Sequence, residues 1–158
     1  MTTATPTSKK STRRPGTILL IDDDPGDCEL TRRALKAAGS EAKMFTVGNG
    51  EEALDYLNQR GRFSSLDDAP TPDLILLDIN MPRLDGRGFL KKLREETNLR
   101  SMPVVTLTTS MDSRDVDEMY QLGTNSFVTK PNNIGEFVKV IESINQYWFG
   151  VVSLPSAS

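Results

Sequence analysis

The sequence predicts an α/β domain: one five-stranded parallel, doubly wound sheet with five helices on both faces. Two patterns carry that expectation. Short apolar runs alternate five times with stretches of helical periodicity, and Gly, Pro, Asn and Asp punctuate the junctions. The length of 158 residues suits a single domain, and a chain of that size buries enough surface to need no disulfide or structural metal.

TILLID (17–22) reads as a strand buried on both faces. Pro25-Gly26 opens a helix through about Ala38, with Cys28, Thr31, Leu35 and Ala38 on one side and Gly39 as its stop. KMFTV (43–47) is the second strand, and after Gly48-Asn49-Gly50 a helix turns Ala53, Leu54 and Leu57 inward. DLILLD (73–78) is the third strand, followed by a helix from Gly86 to about Thr97 with Phe89, Leu90 and Leu93 facing in. VVTLTT (104–109) is the fourth strand, and Ser110 is the expected N-cap of a helix to Leu122, closed by Gly123. SFVT (126–129) is the fifth. The last helix, 134–148, carries a stripe of Ile134, Phe137, Val138, Ile141, Ile144 and Trp148. Residues 60–72 form a long loop and 149–158 an apolar tail, leaving 17–148 as the folded domain.

Composition excludes several function classes. The chain has no histidine, which removes Ser–His and Cys–His catalysis, His-ligated zinc and a phosphohistidine donor role. Its one cysteine, Cys28, cannot close an internal disulfide, so a reducing, cytoplasmic setting is expected. No apolar run nears the ~20 residues that cross a bilayer, and no secretory leader is visible, so no membrane partner is expected. Four of the 19 basic groups (Lys9, Lys10, Arg13, Arg14) fall in residues 1–16 and none of the 22 acids does. That segment reads as a disordered basic tail, and the acidic body as a poor fit to nucleic acid. No Gly-x-Gly-x-x-Gly and no Gly-Lys-Ser/Thr occurs.

Ligands in open α/β sheets gather at the carboxyl ends of the strands. There the first strand presents Asp22, Asp23 and Asp24, the third Asp78 ahead of Ile79-Asn80-Met81-Pro82, the fourth Thr108 and Thr109, and the fifth Lys130-Pro131. Clustered carboxylates repel and call for a divalent cation; an all-oxygen shell suits Mg²⁺. A metal, a nucleophilic aspartate, a hydroxyl and a lysine describe phosphoryl transfer to a carboxylate. Singly, each has a bland reading: Asp22–Asp24 as a turn and helix start, Asp85-Gly86 as a turn, Thr108 as a strand residue, Lys130 as solvated, Phe127 as core.

IDDDP (21–25), LILLDINMPRLDG (74–86), TLTTS (106–110) and SFVTKP (126–131) resemble, in order, the signature blocks of the response-regulator receiver domain of two-component signalling. The separations of Asp78, Thr108 and Lys130 are similar to that family's as well. The resemblance implies a flavodoxin-like strand order 2-1-3-4-5, with Asp78 as phosphoacceptor. It implies Asp23 as a direct Mg²⁺ ligand, Asp22 assisting through water, and the main-chain carbonyl of Asn80 as a further ligand. Lys130 would contact a phosphoryl oxygen, Thr108 would move to bond the phosphoryl group, and Phe127 would be the aromatic switch. The Lys130-Pro131 bond would be cis. Three positions depart from the family's pattern: Thr109 is branched where a small residue is usual, Phe127 lacks a phenol, and Asp24 adds an acid without an assigned ligand role.

The resemblance implies a sensor histidine kinase as partner and, with no output domain after residue 148, a downstream target or phosphotransfer protein. It is not an enzyme reading: the domain promotes only its own phosphorylation and dephosphorylation. The loop GRFSSLDDAPTP (61–72) and the tail from Tyr147 to Pro155 look like small response regulators paired with phytochrome-like histidine kinases. A homodimer through the last two helices and the tail is the expectation, with self-packing of the tail as the alternative. Two rivals are a haloacid dehalogenase-type phosphatase, which wants an aspartate where Asn80 stands, and a non-phosphorylated pseudo-receiver, which would have lost one of the residues kept here.

Overall fold

The computed structural model describes residues 16–65 and 67–156; the expectation of a basic tail over 1–16 falls almost wholly outside them. Strands β1 (Thr17–Ile21), β2 (Lys43–Val47), β3 (Leu74–Leu77), β4 (Val104–Thr108) and β5 (Ser126–Thr129) form one sheet in the order β2-β1-β3-β4-β5. All four pairings are parallel, as expected. Helices α1 (Pro25–Ala37), α2 (Gly50–Leu57), α3 (Gly86–Glu95), α4 (Ser113–Leu122) and α5 (Ile134–Gln146) connect and cover it.

Because side chains alternate across a strand, the sheet divides the core in two. Leu19, Ile21, Ile75 and Leu77 pack with Ala53, Phe89, Leu93 and Met119 of α2, α3 and α4. Ile18, Leu20, Leu76 and Leu107 pack with Leu35, Phe137 and Ile141 of α1 and α5. Both faces being covered, β1, β3 and β4 are buried at every residue, and the outer strands β2 and β5 only in part. The strand order reverses between β1 and β3, so the carboxyl ends of those strands flank the crevice where such sheets bind ligands.

Every helix starts under a side-chain cap at that same end of the sheet: Asp24, Asn49, Asp85, Asp112 and Asn133 each accept a first-turn N–H. Asp24 thus has its role, accepting from Gly26 N at 2.8 Å. Asp85 is a cap rather than a mere turn. Ser110 is not the cap of α4; its hydroxyl donates to Asp115, and Asp112 caps the helix two residues later. Gly123 stops α4 in the left-handed region at φ 108°.

Two further expectations change. No cis peptide occurs among the described residues, so Lys130-Pro131 is trans, the form favoured before proline by about 0.5–1 kcal/mol. The α5 stripe begins at Phe137, not Ile134, which is the helix's first residue and stays 64% exposed. At its other end the helix widens into a π turn over Tyr147–Val151. Trp148 and Phe149 fold back onto the α1–α5 side of the core. The Phe149 ring lies so close to Gly16 that a Cβ there would come within 2.2 Å of it.

The loop after α2 is tied down by the Tyr56 hydroxyl, which donates to Pro70 O at 2.8 Å. Phe63, in the 3₁₀ turn Gly61–Phe63, sets its ring 5.2 Å from that of Tyr56, tilted by 58°.

Gly86 fixes the end of β3 against α3. Its N–H donates to Ile79 O at 2.8 Å, and a Cβ there would lie 2.3 Å from the Asp78 carbonyl oxygen. Backbone cannot yield as a flexible side chain does. Gly86→Ala is therefore expected to cost about 2–3 kcal/mol as overpacking, read as a lower urea midpoint at unchanged m; a midpoint within error of wild type would show that the β3–α3 turn moves freely.

Candidate functional site

β1 and β3 deliver two carboxylates side by side. Asp22 N donates to Val47 O and Asp78 N to Ile21 O, both at 3.0 Å, so the ladder holds both backbones where the strands end. Asp23 follows on the exposed rim. One carboxylate oxygen from each of Asp22, Asp23 and Asp78 lies within 4.8 Å of the others. At that separation two unit charges repel by about 3–4 kcal/mol at an effective dielectric of 20. Three acids on oxygen ligands alone form a donor set for one hard divalent ion.

Each acid is oriented. Asp22 is 3% exposed; its Oδ1 accepts Asp24 N at 2.9 Å and its Oδ2 accepts Lys130 Nζ at 2.7 Å. Burial pushes the Asp22 carboxyl above its usual range, against the pull of Lys130 and the Asp24 amide. Asp78, half-buried, uses Oδ1 to accept the Ile79 N–H at 2.8 Å. Asn80 lies exposed on the same rim, two residues on.

Lys130 leaves the end of β5, its N–H on Thr108 O at 2.7 Å, and its ammonium is buried between two acids. Besides Asp22 it donates to Asp27 Oδ2 at 3.1 Å. Burial alone would lower its pKa; the hydrogen bond and charge of Asp22, with Asp78 and Asp27, hold it above the ordinary lysine value. Sequence reasoning missed Asp27. Its one visible signal was Asp24-x-x-Asp27, which reads as a helix start and says nothing of a lysine 103 residues away.

Thr108 ends β4 fully buried, and its Oγ1 has no hydrogen-bond partner among the described residues. A buried hydroxyl left so costs about 1–3 kcal/mol. Thr109 points to the exposed side. Phe127 is half-buried against the α2–α4 side of the core, and its N–H donates to the Tyr120 hydroxyl at 3.2 Å. Cys28 touches the site only from below, its thiol 3.6 Å from Asp22 O. Burial first, and then the Asp22 charge, push that thiol up to about 11, so it is no nucleophile at neutral pH. The structure thus brings Asp22, Asp23, Asp78, Thr108 and Lys130 to one rim, as expected, and adds Asp27.

Such a rim can bind a divalent cation and an anionic group beside an oriented aspartate. The model of the response regulator receiver domain matches residues 18–142. The response regulator Rcp1 of Synechocystis sp. is 35% identical over 143 residues, 90% of this chain and 95% of that protein. A crystal structure of the phosphorylated cyanobacterial phytochrome response regulator RcpA superposes with a TM-score of 0.83 at 34% identity, covering 90% of this chain and all of that one (100%). The Mn²⁺-bound form of Rcp1 gives a TM-score of 0.80 at 34% identity over 90% of this chain and 100% of that one. This chain belongs to the response-regulator receiver family, among relatives of the phytochrome response regulators.

Proposed function

We propose that the chain accepts a phosphoryl group on Asp78 from the phosphohistidine of a sensor kinase. An Asp78 oxygen forms the new bond to phosphorus as the P–N bond breaks, and the imidazole leaves with the electron pair and takes up a proton from water. The observation that carries this reading is the buried, partnerless Thr108 hydroxyl at the same rim as three clustered carboxylates and a buried lysine. Thr108 would donate to a phosphoryl oxygen, and Lys130, with two of its three N–H groups on Asp22 and Asp27, keeps its third for another.

Asp22, Asp23 and Asp78, with the main-chain carbonyl of Asn80, would hold Mg²⁺, which supplies the positive charge that lets anions meet there. Phe127 follows Thr108 inward by packing alone, since it has no phenol to anchor. The test is Mg²⁺-dependent labelling by a small phosphodonor such as acetyl phosphate, with stoichiometric uptake expected and its absence overturning the reading.

The kinase is proposed to be phytochrome-like, on the kinship with Rcp1 and RcpA. The setting is proposed to be cytoplasmic; among the described residues no helix is long and apolar enough to cross a membrane. A homodimer through α4, α5 and the tail is kept as a proposal in narrowed form. Trp148 and Phe149 are spent on the chain's own core, leaving Tyr147 and Val151, 51% and 67% exposed, as contacts for a second copy. Ending the chain at Trp148 should then shift sedimentation from dimer to monomer; an unchanged assembly state removes the tail from the interface.

A further inference from the structure

β4 fixes Thr108 only as far as its carbonyl, which holds the Lys130 N–H. Beyond it the chain crosses residues 109–112 before α4 begins. Thr109 is exposed and Met111 is 82% exposed. Ser110 is tied at its carbonyl and at its hydroxyl. Its carbonyl accepts the Thr129 hydroxyl at 3.2 Å, and its own hydroxyl accepts the Asp112 N–H at 3.3 Å and donates to Asp115 Oδ2 at 2.5 Å.

The second tie continues across the molecule. The other oxygen of Asp115 accepts Arg87 Nη2 at 2.5 Å, and Arg87 Nε donates to Glu118 Oε1 at 2.5 Å. Arg87 follows Gly86, the residue locked to Ile79 O and against the Asp78 carbonyl. The bridge therefore joins the loop that follows Thr108 to the start of the helix that follows Asp78. Arg87 also lies 3.7 Å from Asp85, the cap of its own helix, but its two shortest contacts cross to α4. The Arg87 and Asp115 side chains are only 27% and 21% exposed, so solvent screens their contact less than it would a surface pair.

We infer that Ser110, acting through Asp115 and Arg87, is a positioning residue that holds the Thr108 hydroxyl back from Asp78 until a phosphoryl group arrives. This rests on the reading of Asp78 as acceptor. On that reading Thr108 gains its partner at the phosphoryl group by moving inward together with the loop that follows it. Ser110, two residues away, must then part from Asp115 or drag α4 with it. A contact made only in the resting loop lowers affinity for any group that draws Thr108 in, and its removal raises that affinity by the same factor.

The test titrates the full chain with beryllofluoride, a stand-in for a phosphoryl group on a carboxylate, in the presence of Mg²⁺. Ser110→Ala and Arg87→Gln are expected to bind it about fivefold more tightly than wild type. Ser110→Thr, which keeps the hydroxyl, should bind as wild type, and Mg²⁺ alone should bind all four proteins equally. Affinity unchanged or lowered in both Ser110→Ala and Arg87→Gln, with wild type binding normally, overturns the bridge and leaves the acceptor reading standing. A wild type that takes no beryllofluoride overturns the acceptor reading and the bridge with it.

Discussion

Asp78→Asn abolishes Mg²⁺-dependent labelling by acetyl phosphate, while Asp55→Asn labels as wild type does. The amide oxygen of an asparagine can still accept the Ile79 N–H that Asp78 Oδ1 accepts at 2.8 Å, so the local backbone has no reason to move. What is lost is a charged nucleophile, and a neutral amide does not displace acetate from the phosphorus of acetyl phosphate at a useful rate. The control is matched in chemistry and not in place. Asp55 lies on α2, where its carboxylate meets Arg60 at 3.3 Å with about half its side chain in solvent (49%). Such an exposed pair is worth at most about 1 kcal/mol. The measurement is phosphate incorporated per chain by intact mass. Labelling that survives Asp78→Asn overturns the assignment, and labelling lost in both variants would make it a matter of folding rather than of the acceptor.

The fold was legible because its signals are redundant. Leu19, Ile21, Ile75 and Leu77 alternate with Ile18, Leu20, Leu74 and Leu76, and a strand apolar on both faces fits only a sheet covered on both sides. The acids at 22, 23 and 78 were legible for the same reason: strand ends in a parallel sheet all come to one rim. What stayed hidden depends on distance across the chain rather than along it. Nothing near Asp27 in sequence marks it as a partner of Lys130, and nothing near Ser110 says that its hydroxyl answers to an aspartate clamped by Arg87. Local propensity makes Ser110 the expected cap; the longer loop to Asp112 wins because Asp115 offers that hydroxyl a charged acceptor. The trans Lys130-Pro131 bond marks where a family expectation and this chain part.

Lys130→Met is expected to destabilise the metal-free protein and, at the same time, to tighten its grip on Mg²⁺. Lys130 and Asp22 are 7% and 1% exposed at their side chains, and removing one partner of so buried a pair typically costs about 3–5 kcal/mol, because the other charge is left unpaired. Methionine keeps the volume, so the loss reports charge rather than a cavity, and Asp27, more than a third exposed (37%), can turn to water. The sign with pH follows from Asp22. Burial already raises its folded pKa above the ordinary aspartate value, and without the lysine it rises further. A carboxyl with a raised folded pKa helps stability below its unfolded value and loses that help as pH climbs through the folded one. The variant should therefore lie nearest to wild type around pH 4, with the penalty growing toward neutrality. Mg²⁺ works the other way. On the proposed metal site the ion in wild type would share Asp22 with the ammonium 2.7 Å away. In the variant it meets no such competitor, so saturating Mg²⁺ should raise the urea midpoint more in Lys130→Met than in wild type, by the linkage between ligand affinity and folding. An equal gain in the two proteins would mean that Asp22 and Lys130 do not share the metal site, and with that the lysine's part in bringing a phosphoryl group to Asp78 would fall.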